Sequence, residues 1–263
     1  MMMNFLCQSE CITQLKNLVQ TDRHSLLISG PAGCGKSYLA NQFAQFLGVD
    51  DFQLIMPKVL DIRQAIDQCT VLNNRVVICI ENLDIGVAGA AFTLLKFLEE
   101  PMSHVYIVVT CRNLSRVPDT IISRSSVMTL SNPRFEDLDE YCKGVHAVEY
   151  PRVKRSSVWN CCRTFNDIDT ICKMTKEQLD YFDTKLPTML KFTDSVSNIV
   201  WSLGHYPDNT ETPVELVIQY ILNHTLIHHI KMSGIECLKD IASGRIAKHT
   251  VLTKFAFECK YIE

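Results

Sequence analysis

The sequence predicts an α/β protein in which a parallel sheet, flanked by helices, is followed by a small all-helical domain and a C-terminal helical domain. Three observations predict this. Short apolar, β-branched runs at residues 26–30, 76–80 and 105–110 alternate with stretches of helical spacing such as 91–99. A glycine-rich motif, GPAGCGKS, joins the first run to an amphipathic segment, YLANQFAQFL. After Asn132-Pro133 the strand-like runs stop and helical spacing alone continues.

Taken in order, the runs LLISG, VVICI and VYIVVT are apolar throughout, as expected of strands with helices on both faces. A fourth strand is expected at 127–130 and a weaker one at 52–55, so that the sheet domain ends near Ser131. Beyond it, EDLDEYC, SSVWNCCRTF, TKEQLDYFD and LPTMLKFTDSV have helical apolar spacing, with Pro187 near a helix start. Further helical stretches, PVELVIQYILNHTLIHHIKM and GIECLKDIA, follow a loop at 206–213. The resulting division is 1–131, 132–195 and 196–263.

Composition bounds the function. The 263 residues are 47% hydrophobic and carry a net charge of −3, which leaves no global charge signature for coating nucleic acid. No basic start leads into an apolar stretch, and no apolar run approaches a membrane span, so a soluble protein without a signal peptide is expected. Twelve cysteines without regular spacing fit a reducing, cytoplasmic compartment in which the free thiol serves as a small apolar group. Cys7/Cys11 and Cys161/Cys162 do not make a four-ligand zinc pattern.

The candidate binding site is the phosphate loop Gly30, Pro31, Ala32, Gly33, Cys34, Gly35, Lys36 and Ser37. Its glycines let the backbone N–H groups turn inward, where they and the helix N-terminus meet phosphate oxygens. Lys36 is then placed for the β- and γ-phosphates of ATP and Ser37 for magnesium. Such a site also needs a strand ending in a carboxylate for the metal and, beside it, a base that activates water. The segment VVICIENLD supplies the candidates, and its register decides whether Glu81 serves the metal or the water.

Two later segments bear on that register. TLLKFLEEP (93–101) and TIISRS (120–125) resemble, in this order behind a phosphate loop, boxes of the clamp-loader branch of the AAA+ ATPases, which includes bacterial DNA polymerase III gamma and delta-prime subunits and replication factor C. The similarity spans about residues 8–131. It implies a helical lid at 132–195 and a collar-like oligomerisation domain at 196–263. Counting back from Lys96, it places Glu81 at the metal-binding Asp, Asn82 at the catalytic Glu and Asp84 at a later Asp. The shifted register would put Ile80 at the metal. Asn82 cannot take a proton from water, so a general-base factor of roughly 10²–10⁴ is expected to be missing. The resemblance also places Cys111, a poor donor, at the first sensor, and Pro187 where the second-sensor arginine stands.

Arg124 keeps the family pattern, and the resemblance implies an arginine finger directed at a neighbouring subunit; Ser125 replaces the usual Cys. An isolated arginine more often pairs with a local carboxylate. The expected function is a clamp-loader-like subunit in DNA replication that binds ATP and Mg2+, hydrolyses ATP weakly or not at all, and works with other such subunits, a sliding clamp and primer–template DNA, away from membranes. A fully active ATPase and a nucleotide-stabilised scaffold are the alternatives. His224, His228 and His229 lack a third ligand in metal spacing, and Arg152, Lys154 and Arg155 form a short basic cluster best read as a solvated loop or helix start. Trp159 and Trp201 are expected in packing.

Overall fold

Five strands form one wholly parallel sheet in the computed structural model: β1 (Ser25–Ser29), β2 (Asp51–Ile55), β3 (Val76–Ile80), β4 (Val105–Cys111) and β5 (Ser126–Thr129), in the order β2-β3-β4-β1-β5. The structure describes residues 9–21, 23–71, 74–86, 88–187, 214–225, 228–243, 246–247, 250–251 and 253–255. Two compact units are formed, residues 1–137 and 138–263.

In the first unit the sheet is flanked by α1 (Ser9–Val19), α2 (Lys36–Leu47), α3 (Val59–Val71) and α4 (Ala88–Glu99), with the short α5 (Asp119–Ile122) before β5. β1 and β3 are buried at every residue, which is why both read as unbroken apolar runs. Alternate side chains supply opposite layers. Leu27, Ile78 and Ile107 pack with Ile62 and Leu94 of α3 and α4, whereas Leu26, Ile28, Val77 and Val108 pack with Leu15, Leu39 and Phe43 of α1 and α2. The weaker strand signal at 52–55 belongs to the edge strand β2, where no residue is fully buried.

The second unit holds α6 (Phe135–Val145, which begins before the division), α7 (Tyr150–Val153), α8 (Phe165–Lys173), α9 (Lys176–Asp180), α10 (Val214–His224) and α11 (His228–Ser243). Thr164 with Asp167, and Thr175 with Gln178, form reciprocal capping boxes that start α8 and α9. α9 runs on through a π-turn at Tyr181–Lys185 into helical Leu186 and Pro187. Pro187 therefore lies in a continuing helical stretch rather than near a helix start; it has no N–H to give the preceding turn, and the widened turn before it fits that loss. Residues 188–213, with Trp201 and the expected boundary at 195/196, lie outside the described residues.

In the basic cluster Arg152 and Arg155 are exposed and Lys154 is half-buried, as a solvated helix start places them. Lys154 Nζ reaches Asp139 Oδ1 at 2.6 Å and lies 4.5 Å from the centre of the Trp159 ring, and Arg152 donates to the Cys172 carbonyl at 3.1 Å. Trp159 is buried, as expected of packing. The ten described cysteines are buried thiols, and burial pushes the Cys79 thiol up to about 12. His224 stacks on Tyr220 and shares a hydrogen bond with its carbonyl, and among the described residues no group of His, Cys, Asp or Glu is arranged to hold a metal ion. Nor, among those residues, is any helix long and apolar enough to cross a membrane.

Asp139 gives the second unit a measurable pH dependence. Partial burial pushes its carboxyl up, but hydrogen bonds from Lys143, Lys154 and Tyr150 outweigh this and hold it at about 2. Because the folded value lies below that of the unfolded chain, the stabilisation is present above about pH 4 and is lost as pH falls through about 2. With the lysines partly in solvent, Asp139→Asn is expected to lower stability at pH 7 by on the order of 1 kcal/mol, and by progressively less below pH 4. Urea denaturation of both proteins across that range measures the difference.

Candidate functional site

The loop at 30–37 leaves the C-terminal end of β1 and runs into the first turn of α2. Gly30 is walled in: a Cβ there would lie 2.8 Å from the Leu130 carbonyl oxygen and 3.0 Å from Cys34 Sγ. Gly33 and Gly35 have φ of 71° and 92°, the left-handed region that L side chains rarely adopt. Cys34 is fully buried in the layer beneath the loop, and burial raises its thiol. Pro31 and Ala32 lie at the tip, and the Pro31 carbonyl accepts from Lys36 Nζ at 2.6 Å, as the Gly30 carbonyl does at 2.8 Å. Lys36 is buried, and that burial lowers its pKa.

Ser37 Oγ donates to Glu81 Oε1 at 2.5 Å, although 44 residues separate them in sequence. A hydroxyl and a carboxylate side by side at the start of a helix are hard oxygen donors that fit a magnesium ion. This pairing joins the loop to the end of β3.

Asn82 follows with φ 49° and ψ 52°, and among the described residues it is the only one besides glycine with positive φ. Asn tolerates this conformation better than other L residues. Its N–H donates to Thr110 Oγ1 at 2.9 Å, which ties the turn after β3 to β4. Asp84 spans the same gap: its two oxygens accept from the N–H groups of Arg112 and Asn113, each at 3.0 Å. Thus the ends of β3 and β4 are held together by two side chain to backbone links.

Cys111 is the last residue of β4, pairs with Ser29 in register, and its carbonyl accepts from Gly30 N–H at 3.1 Å. It is fully buried; burial raises its thiol, with a Ser29 hydrogen bond acting against that, so it stays protonated at neutral pH. The loop, Glu81, Asn82 and Cys111 therefore meet at the carboxyl end of the sheet, where α/β folds place their ligands.

Arg124 does not join them. Ser25, the first residue of β1, donates its hydroxyl to the Arg124 carbonyl at 2.6 Å, and lies 3.1 Å from the hydroxyl of Ser125. Arg124 is thus at the amino end of β1 and the loop at its carboxyl end, about 16 Å away at a strand's rise per residue. Its guanidinium donates to the Thr120 carbonyl at 3.0 Å and to Glu99 Oε1 at 3.1 Å, so TLLKFLEEP and TIISRS meet in one ion pair. With both side chains more than a third exposed, the pair adds at most about 1 kcal/mol.

Residues 51–134 match the family model described as DNA polymerase III, delta subunit. The DNA polymerase III subunit delta' of Haemophilus influenzae is 29% identical over 125 residues, which cover 48% of this chain and 38% of that relative. Among solved structures, a DNA polymerase III gamma subunit-related protein from Thermotoga maritima aligns over 95% of this chain and 98% of its own, with a TM-score of 0.56 at 17% identity. In these comparisons the chain is similar to clamp-loader AAA+ proteins. The Thermotoga maritima RuvB Holliday junction branch migration motor shares the fold, with a TM-score of 0.51 at 15% identity over 84% of this chain and 90% of that one.

Three residues that position the site were not singled out for such roles from sequence: Thr110, Arg112 and Asp84 with its two-pronged contact. The only signal for them was position, immediately before and after Cys111 and three residues past Glu81. The backbone at Asn82 is directly testable. Asn82→Ala is expected to lower unfolding free energy by about 1 kcal/mol and Asn82→Gly to leave it nearly unchanged, because only the first places a Cβ without a compensating polar group in the left-handed region. Chemical denaturation of the three proteins separates the outcomes.

Proposed function

We propose that this protein is a subunit of a clamp-loader-like assembly in DNA replication that binds ATP with magnesium at residues 30–37, turns it over weakly or not at all, and offers Arg124 to a neighbouring subunit. The observation that carries the reading is the bond between Ser37 and Glu81. It supports Glu81 as the metal ligand and, with that register, Asn82 at the position of the base.

On this reading the N–H groups of the loop and Lys36 cradle the phosphates, and Ser37 and Glu81 hold magnesium, which offsets phosphate charge. Lys36 exchanges the Gly30 and Pro31 carbonyls for phosphate oxygens. Asn82 can orient a water through its amide but cannot accept its proton, and the buried Cys111 thiol donates weakly. Residues 138–187 act as part of a lid and the C-terminal helices as a collar-like oligomerisation domain. Arg124, a strand's length from its own loop, would reach a nucleotide across an interface, as a finger that stabilises transferring charge. The partners are other clamp-loader-like subunits, a sliding clamp and, through the assembly, primer–template DNA in the cytoplasm.

ATP binding and single-turnover hydrolysis by the purified protein, beside Lys36→Ala and Asn82→Glu, test this. Wild type is expected to bind ATP and turn it over barely, Lys36→Ala to lose binding, and Asn82→Glu to gain rate by on the order of 10²-fold. Brisk turnover by wild type alone would assign Glu81 to the base and make the chain an active ATPase. Arg124→Ala is expected to lower turnover in an assembly that contains the neighbouring subunit; an unchanged rate there would leave a nucleotide-stabilised scaffold.

A further inference from the structure

Two cysteines of the second unit meet sulfur to sulfur. Cys142 of α6 and Cys172 of α8 are 30 residues apart in sequence, yet their Sγ atoms lie 3.6 Å apart, in a weak thiol hydrogen bond. Both side chains are buried. The contact is framed by others between the same elements. Tyr141, beside Cys142, donates its hydroxyl to Asp169 Oδ1 at 2.8 Å and sets its ring 5.0 Å from that of Phe165, the first residue of α8. His146, one turn past Cys142, lies 2.8 Å from the same Asp169 oxygen, and Asp169 stands one turn before Cys172. The Cys172 carbonyl is held in turn by Arg152 at 3.1 Å.

Burial raises both thiols, and the nearby Glu149 and Asp169 raise them further, so the pair stays protonated at neutral pH and reacts slowly with an oxidant. What the placement supplies is the step after that. Once one sulfur is oxidised, the other is already beside it, and a closure of about 1.5 Å brings the two to bonding distance.

We propose that Cys142 and Cys172 form a reversible disulfide, with a peroxide as the oxidant, that fastens α6 to α8. One sulfur, as its thiolate, attacks a peroxide oxygen; an S–O bond forms, the O–O bond breaks, and the departing hydroxide takes up the thiol proton as water. The second sulfur then attacks the sulfenic sulfur, the S–S bond forms, the S–O bond breaks, and the hydroxyl leaves with the second thiol proton as another water. Two thiols and one peroxide thus give one disulfide and two waters. A dithiol reductant reverses the bond and is itself oxidised to its cyclic disulfide. The link restricts the unfolded chain, so the second unit resists unfolding more strongly when oxidised. This inference is independent of nucleotide binding.

Treatment of the full-length protein with hydrogen peroxide, followed by alkylation and tryptic digestion without reductant, tests it. Cleavage after Arg134, Lys143, Arg163 and Lys173 puts each cysteine alone in its own peptide, 135–143 and 164–173, apart from Cys161 and Cys162. The two peptides are expected to be recovered joined, and to separate after dithiothreitol. The oxidised protein is expected to melt higher, by roughly 5–10 °C, than the same sample after dithiothreitol, and Cys172→Ala to lose both the joined peptide and the rise. Recovery of the two peptides unlinked from peroxide-treated wild type, or joining of either cysteine to Cys161 or Cys162 instead, would overturn the proposal. A linked protein that melts no higher than its reduced form would overturn the fastening of α6 to α8.

Discussion

Where β1 leaves the sheet the chain has room for a hydrogen atom and nothing larger. Gly30 is held from one side by β4, through its N–H and the Cys111 carbonyl, and closed in from the other by the Leu130 carbonyl, which follows β5. Leu130 N–H in turn bonds to the Ser29 carbonyl. The loop thus starts from a point fixed by both neighbouring strands, and the site inherits its geometry from that point. Lys36 and Ser37 follow at the first turn of α2, and Cys111 and Arg112 arrive with β4. Glu81 and Asn82 arrive with β3, one strand further out, and need the extra links from Thr110 and Asp84 to stay in place.

The same strand separates two activities by its length. Its carboxyl end carries the phosphate loop, while its amino end takes the Arg124 carbonyl on the hydroxyl of Ser25. A side chain at one end cannot serve the other within one chain, so Arg124 stands apart from the loop of its own chain. Glu99 holds the guanidinium through one exposed ion pair, whose small worth leaves the arginine able to exchange its partner for a phosphate. A buried bidentate pair at the same place would have been difficult to break.

How much of this was legible in the sequence follows from what each signal encodes. β1, β3 and β4 were plain because strands buried on both faces need apolar residues at every position, and β2 was faint because an edge strand does not. The loop was legible because phosphate binding demands glycines at fixed spacing. Glu81 and Asn82 were legible only through their distance from Lys96, since two polar residues after an apolar strand carry no register of their own. The left-handed backbone at Asn82 and the contact of Asp84 with residues 28 and 29 positions away depend on strand pairing, which no local pattern records. The exposure of Arg152 and Arg155 was legible, whereas the packing of Lys154 on Asp139 and Trp159 was not, because sequence does not show what lies beneath it.

Asn82 permits a comparison of magnitudes. The left-handed conformation disfavours Glu relative to Asn by about 1 kcal/mol. A general base worth 10²–10⁴ in rate corresponds to roughly 3–5 kcal/mol of barrier. Backbone strain alone therefore does not account for the amide at this position, since a glutamate would still return several times its conformational cost in rate. The balance fits the proposed reading of a site that holds its nucleotide. On the proposed reading, a loop that cradles the phosphates with Lys36 would stabilise a bound triphosphate as well as any transition state derived from it. Such uniform binding raises affinity without raising turnover. Groups that act on the transition state alone, a base at residue 82 and a strong donor at residue 111, are the ones replaced.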